Sequence, residues 1–369
     1  MKLPKLPGFA SKHKSSLFMI IGLVLFLAYL QFFIKFDSLI QLLTSLNVAQ
    51  YSLYFSLAIL SLLLMIFFDS LIFYYLLQGL QVKIKLSKMV LYNWIGNFVE
   101  LVIPCETVCG EVTRIFLIQK ETKSNIGISA APVISSRLIS TIIYSVGLIV
   151  GLVFLASGGQ LPLYLLGTLL VISFGTVGIV GLFVWIAIKE GADQRLVNAI
   201  VRLMKIITKN QAKLEIRKEK IQTTIFSFSE AFQTYKTHPK LLIKPTIFAV
   251  LGYIFNLLIF MMVFYALNFK SITFPDLAIV YFITSTVETI TSGFPVGAVE
   301  ITMINLYYAL NVPLVIAGAA TTLSRLLTFW VQVLVGYPLV QFTGLKQLVK
   351  GGLSLDKVFG KEESGMTEI

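Results

Sequence analysis

Long apolar runs separated by short polar breaks occupy almost the whole chain. About 20 apolar residues in a helix match the ~30 Å hydrocarbon core of a bilayer. The pattern predicts spanning helices over residues 16–34, 50–78, 128–156, 163–188, 241–267 and 313–342. Two stretches do not fit this scheme. From Lys88 to Ile103 there are 16 residues, which at about 1.5 Å per residue reach only about 24 Å. Pro104 then breaks the run, and the segment beyond it carries Glu111, Arg114 and Lys120 before the polar QKETKSN. Residues 88–120 read as a re-entrant helical hairpin. Residues 277–293 are again short and contain Glu288; they break at Gly293-Phe294-Pro295 and resume through Gly297 and Glu300. Broken backbone at membrane depth is tolerated only where protein or a water-filled cavity surrounds it.

Charge placement orients these elements. Lys83, Lys85 and Lys88, and the basic segment 189–240, mark cytoplasmic loops by the positive-inside rule. The basic residues 1–15, the segment 189–240 and the tail 343–369 then fall on one side, and both termini are cytoplasmic. The first hairpin enters from the cytoplasm and the second from the opposite face. Apolar residues recur helically at Leu196, Ile200, Leu203 and Ile207. This predicts amphipathic helices along the inner leaflet, with a solvated linker as the alternative.

The two halves repeat each other. Ser136-Arg137-Leu138 reads beside Ser324-Arg325-Leu326. Glu111 precedes Arg137 by 26 residues, Glu300 precedes Arg325 by 25, and a proline precedes each glutamate. The repeat units are residues 50–157 and 241–342, each a spanning helix, a hairpin and an arginine-bearing helix. Their opposite entry faces make the repeat inverted, a signature of secondary transporters. The predicted fold class is an all-α polytopic membrane protein, about six full spanning helices plus two re-entrant helical hairpins arranged as an inverted repeat, within one domain over residues 16–342.

Composition agrees. Of 369 residues, 57% are hydrophobic and 13% charged, and the mean hydropathy is +0.86. A soluble protein of this size exposes far more charge. The first apolar run lacks a small-residue cleavage site and is expected to stay as a helix. The net charge of +12 is better explained by anionic lipid at the cytoplasmic basic segment than by nucleic acid. Cys105 and Cys109, four apart, neither complete a metal site nor form an easy disulfide. With His13 and His238 both in basic polar segments, no metal and no cofactor is expected.

Charged residues inside membrane helices need a partner or a job. Arg137 and Arg325 are expected to face each other across the repeat axis, near Glu111, Arg114 and Glu300. Guanidinium is always charged and its fixed donors suit phosphate, and helix N-termini after each break would point N–H groups into the same space. Arg114, Arg137, Arg325, Glu111 and Glu300 are therefore the candidate substrate-binding residues, with Arg114 expected to lack a protein partner. The alternative is that Glu111–Arg137 and Glu300–Arg325 are ion pairs that hold the hairpins. Glu100 and Glu288, just before the breaks, are read as coupling sites or as solvated groups at a cavity mouth. Asp69 is read as solvated near the inner interface. No phosphate loop, HExxH, paired histidine or Asp-rich motif appears, so no catalytic residue is assigned.

At these residues the chain resembles the flippase-like transmembrane family that includes the membrane region of lysylphosphatidylglycerol synthases. The resemblance rests on P-C-E-T-V-C-G-E-V-T-R, in which Pro104, Gly110, Glu111 and Arg114 match and Cys109 replaces a glycine. It rests also on F-P-V-G-A-V-E, in which Pro295, Gly297 and Glu300 fit without the usual glycine pair, and on Arg325. It implies movement of lipid between leaflets, with aminoacylated phosphatidylglycerol the substrate of the best-known members. This chain is expected to lack their soluble aminoacyl-transferase domain, and so not to make that lipid. The expected cargo is a phospholipid or a polyprenyl-phosphate-linked lipid, and the expected location the cell membrane. An assembly of identical copies is compatible with this. The rival readings are a membrane-embedded headgroup transferase subunit and a non-transporting scaffold for lipid-synthesis enzymes.

Overall fold

Helix starts and stops follow local chemistry in the computed structural model, which describes residues 35–102, 106–157, 211–290 and 297–342, with Leu27 and Gln31. Helix α1 is Phe36–Ser45 and α2 is Val48–Gly79. The Asn47 carboxamide accepts from the backbone N–H of Ala49 and Gln50 and so starts α2. Helices α3, Leu86–Val102, and α4, Glu106–Thr122, make the first hairpin, and α5 is Ile126–Ser157. Helix α6, Gln211–Thr237, and a 3-10 turn at Pro239–Leu242 lead into α7, Ile243–Ala266. Helix α8, Phe274–Ile290, begins where Asp276 accepts from the backbone and hydroxyl of Thr273 at 2.9 and 2.6 Å. Helix α9 is Ala298–Ala309 and α10 is Leu314–Arg325; a π-helical turn, Leu326–Val331, joins α10 to α11, Gln332–Phe342. Asn268 and Asn311, with φ of 58° and 63°, reverse the chain after α7 and α9, a conformation asparagine tolerates better than most residues.

The described regular structure is all helical. Four stretches, Val48–Gly79, Ile126–Gly151, Pro239–Ala266 and Leu314–Gln341, are long and apolar enough to cross a membrane. They coincide with four of the predicted spans, so the fold is an all-α polytopic membrane one. Residues 16–34 (Leu27 and Gln31 apart) and 163–188 lie outside the described residues, as do 1–15, 189–210, 343–369, Pro104 and Pro295. Between the first two predicted spans the chain forms α1. Leu39 and Leu42 share a helical face there, and the helix packs on α10. Helix α6 packs on α5, and its Tyr235 hydroxyl donates to the Leu76 carbonyl of α2 at 2.8 Å. That part of the basic segment is docked, not a free linker.

Helices α2 and α7 form the centre, with Phe68 stacked on Phe248 and Phe255. Around them the two halves have equivalent neighbours. Helix α3 packs on α4 as α8 packs on α9, and α4 packs on α5 as α9 packs on α10. The first arm of each hairpin also crosses to the other half: α8 lies on α5, and α3 lies on α11. Between apolar helices in lipid the hydrophobic effect supplies little drive, so close backbone approach and polar contacts carry much of the specificity.

Candidate functional site

The first charged cluster is built where α3 and α4 touch. A Cβ on Gly110 would lie 2.7 Å from the Gly96 carbonyl oxygen, and one on Gly96 would collide with the Arg114 side chain. The space left by these glycines receives the Arg114 guanidinium. Its Nε donates to Asn93 Oδ1 at 3.2 Å, and its Nη2 donates to Asn97 Oδ1 and to Glu100 Oε2, the latter at 3.3 Å. Asn93, Asn97 and Glu100 are spaced to lie along one face of α3, which is why three acceptors meet one guanidinium. The Phe73 ring, 5.7 Å from its carbon, closes the other side. Arg114 is buried, and the expectation that it lacks a protein partner is corrected.

Arg137, on α5, completes this cluster. Its Nη2 is 3.7 Å from Glu100 Oε1 and its Nε is 3.4 Å from Glu111 Oε1. Glu100 therefore bridges two arginines. These contacts are long, and the Arg137 side chain is 49% exposed.

The second cluster is tighter. Gly297 has a φ of 105°, a conformation that side chains resist, and it turns the chain into α9. Its N–H donates to Glu300 Oε2 at 2.6 Å. The other carboxylate oxygen of Glu300 accepts from Arg325 Nε at 2.8 Å, while Arg325 Nη1 reaches Glu288 Oε1 at 3.3 Å. The guanidinium carbon lies 5.1 Å from the Phe329 ring centre, on the π-helical turn. Arg325 is 8% exposed and Glu300 3%, whereas Glu288 is 38% exposed.

Each arginine thus clamps both arms of its own hairpin. Glu111 and Glu300 pair with Arg137 and Arg325, as the spacing predicts. Glu100 and Glu288 also pair with them, each 37 residues before its arginine. That shared spacing is a sequence signal hidden by alignment on the prolines, since Glu100 precedes Pro104 by four residues and Glu288 precedes Pro295 by seven. Gly110 and Gly297 lie at the close contact and the turn, while Pro104 and Pro295 fall outside the described residues. The described contacts of Arg137 and Arg325 belong to separate clusters. A polar link runs from the first toward the second half: Asn97 Nδ2 donates to Gln332 Oε1 at 3.3 Å, and Gln332 donates to the Thr328 carbonyl at 2.8 Å.

Two further groups depart from the sequence reading. Asp69 faces α7, where a Cβ on Gly252 would lie 2.8 Å from its Oδ1. Near it the Tyr144 and Tyr281 rings meet edge to face, their centres 5.5 Å apart. Cys109, on α4, is disulfide-bonded, which corrects the expectation of no easy disulfide.

With its groups ionised, the first cluster sums to zero from two arginines and two glutamates, and the second to −1 from one arginine and two glutamates. Such forks can exchange a carboxylate for a phosphate of similar geometry. Among the described residues no group of three His, Cys, Asp or Glu side chains is placed to hold a metal.

A family model described as the lysylphosphatidylglycerol synthase TM region matches residues 19–336, which include both hairpins and every residue of both clusters. No curated protein was found to match the chain. With the family match covering most of its length, and with apolar helices long enough to span, the chain is a membrane protein with a lipid-related role and belongs to the family of the lysylphosphatidylglycerol synthase TM region.

Proposed function

We propose that this protein moves a phosphate-bearing anionic lipid between leaflets, its headgroup resting on the first cluster while its tails stay in lipid. The observation that carries this reading is the state of Arg137. It is a permanent cation, half exposed, held by Glu100 and Glu111 at 3.7 and 3.4 Å. Contacts that long leave its donors open to a better acceptor, and a phosphate supplies one. Arg114 beneath it is buried, with its Nε and Nη2 on Asn93, Asn97 and Glu100, and serves to position Glu100. Arg325 is less available, because two carboxylates already outweigh its charge and one of them is buried. Its cluster holds the second hairpin, and Glu288 gives it an exposed rim.

The hairpins support a path. Helix α3 has 17 residues, about 26 Å at about 1.5 Å each, and cannot comfortably cross the ~30 Å core. Charged groups at such a break call for hydration or a polar lining, and hydration would reduce the cost of carrying a headgroup through. The reading includes a location in the plasma membrane with both termini cytoplasmic, and it assigns no chemical reaction to the protein.

The test is purified protein in phosphatidylcholine vesicles with a fluorescent phosphatidylglycerol analogue. The expected result is protein-dependent exchange of the unchanged analogue between leaflets, lost in Arg137→Ala. Chemical conversion of the headgroup would instead support a transferase. Absence of movement with correctly folded protein would leave the scaffold reading.

A further inference from the structure

We infer that Asp69 is a proton-binding site coupled to the first arginine cluster, so that a proton is taken up when an anionic headgroup binds there. This rests on the proposed function and adds its coupling ion. Asp69 lies within α2, on the face that meets α7, and its Oδ1 lies against Gly252, whose missing side chain makes the room. Among the described residues its carboxylate accepts no hydrogen bond and forms no ion pair. An acid held between two spanning helices without a direct partner is costly as an anion. A carboxylate in that position either finds a counter-charge at a distance or binds a proton.

The charges that act on it come from the elements packed around α2. Asn93 of α3 ties this stretch of α2 to the cluster, donating to the Ser70 hydroxyl at 3.2 Å while accepting from Arg114 Nε at 3.2 Å. Burial disfavours the ionised form of Asp69; Arg114 on α4 and Arg137 on α5 favour it, and Glu100 on α3 opposes them. Tyr144 on α5 and Tyr281 on α8 feel Asp69 in turn, and Tyr253 on α7 packs against both of these tyrosines. The π-helical turn, which also touches α2, has no titratable side chain. Lys240 lies on the 3-10 turn, whose Leu241 meets Gly79 of α2, and Lys244 lies over Tyr75; Gly79 and Tyr75 are about 15 and 9 Å from Asp69 along the helix axis.

The coupling follows from this arrangement. A phosphate on Arg137 cancels part of the positive charge that favours the ionised form of Asp69, and so shifts Asp69 toward its protonated form. By linkage, a proton on Asp69 tightens headgroup binding by the same factor. One negative headgroup and one proton then move through the protein as a nearly neutral pair, which lowers the electrostatic cost of the crossing.

Two measurements decide it. The first adds dihexanoyl-phosphatidylglycerol to detergent-solubilised protein in a weakly buffered medium and reads a pH dye. Wild type is expected to take up protons on binding; Asp69→Asn is expected to bind the lipid without uptake, and Asp69→Glu to restore it. The second follows the fluorescent phosphatidylglycerol analogue in vesicles across pH 6–8. Wild-type exchange is expected to slow by about fivefold or more as pH rises, with a flat profile in Asp69→Asn. Gly252→Ala, which crowds the Asp69 carboxylate while keeping it, is expected to displace the profile along the pH axis. Equal proton uptake by wild type and Asp69→Asn, or wild-type exchange that ignores pH, overturns the inference and leaves the transport reading standing. Absence of exchange at every pH removes the transport reading, while the proton-uptake experiment still judges Asp69. If Asp69→Asn fails to give helical, monodisperse protein, Asp69→Glu and Gly252→Ala carry the same decision.

Discussion

At the scale of single residues, the two arginines that match in sequence have different surroundings. Arg325 is enclosed with Glu300, so Arg325→Ala leaves a buried carboxylate without its counter-charge. Breaking a buried pair in this way costs about 3–5 kcal/mol, and thermal unfolding in detergent should show a clearly lowered midpoint. Arg137 is half exposed at longer distances, where pairs contribute about 0–1 kcal/mol. Arg137→Ala should therefore unfold close to wild type. Its lipid exchange should fall by about tenfold or more, the size of one lost charge-assisted hydrogen bond. The opposite ranking, with Arg137 structural and Arg325 dispensable for folding, would reverse the assignment. Arg114→Lys should resemble a loss. An ammonium cannot reproduce the planar fork that reaches Asn93, Asn97 and Glu100 together.

At the scale of elements, each hairpin depends on a glycine for a different reason. In the first, Gly96 and Gly110 let α3 and α4 approach until Arg114 fills the gap. Gly110→Ala would push a methyl against the Gly96 carbonyl and the Glu100 side chain, and overpacking of this kind costs about 1–3 kcal/mol. Because Glu100 is one of the groups displaced, lipid exchange should fall together with the melting temperature. In the second hairpin the requirement is backbone conformation. Gly297→Ala at a φ of 105° should cost about 1–3 kcal/mol and loosen the bond from its N–H to Glu300. The readout is faster amide exchange at the start of α9, with α3 and α4 unaffected.

At the scale of the whole molecule, the crossed packing of α8 on α5 and of α3 on α11 ties the two halves together. Each crossing contains a close point. A Cβ on Gly151 would meet Ile279, and one on Gly336 would meet Phe98. Cysteine pairs at 151 with 279, and at 98 with 336, should each cross-link on mild oxidation, as read by mass spectrometry. If the halves rock against each other during transport, each cross-link should stop lipid exchange and reduction should restore it. Cross-linking at one crossing but not the other would argue against an equivalent arrangement in the membrane.

Much of this architecture is determined locally. Apolar runs of spanning length, and the short charge-bearing stretches between them, are properties of neighbouring residues, legible without a structure. The pairing of Glu111 with Arg137 and of Glu300 with Arg325 was legible too, because repeated spacing reports repeated structure. Tertiary structure alone decided the balance of charge. Whether Glu100 is solvated or shared between two arginines, whether Arg114 is free or clasped by Asn93 and Asn97, and whether Asp69 meets water or the backbone of Gly252 all depend on which faces of distant helices meet. Side-chain electrostatics acts over a few ångströms between segments tens to hundreds of residues apart, and hydrophobic patterning along one helix contains no information about the partner opposite it.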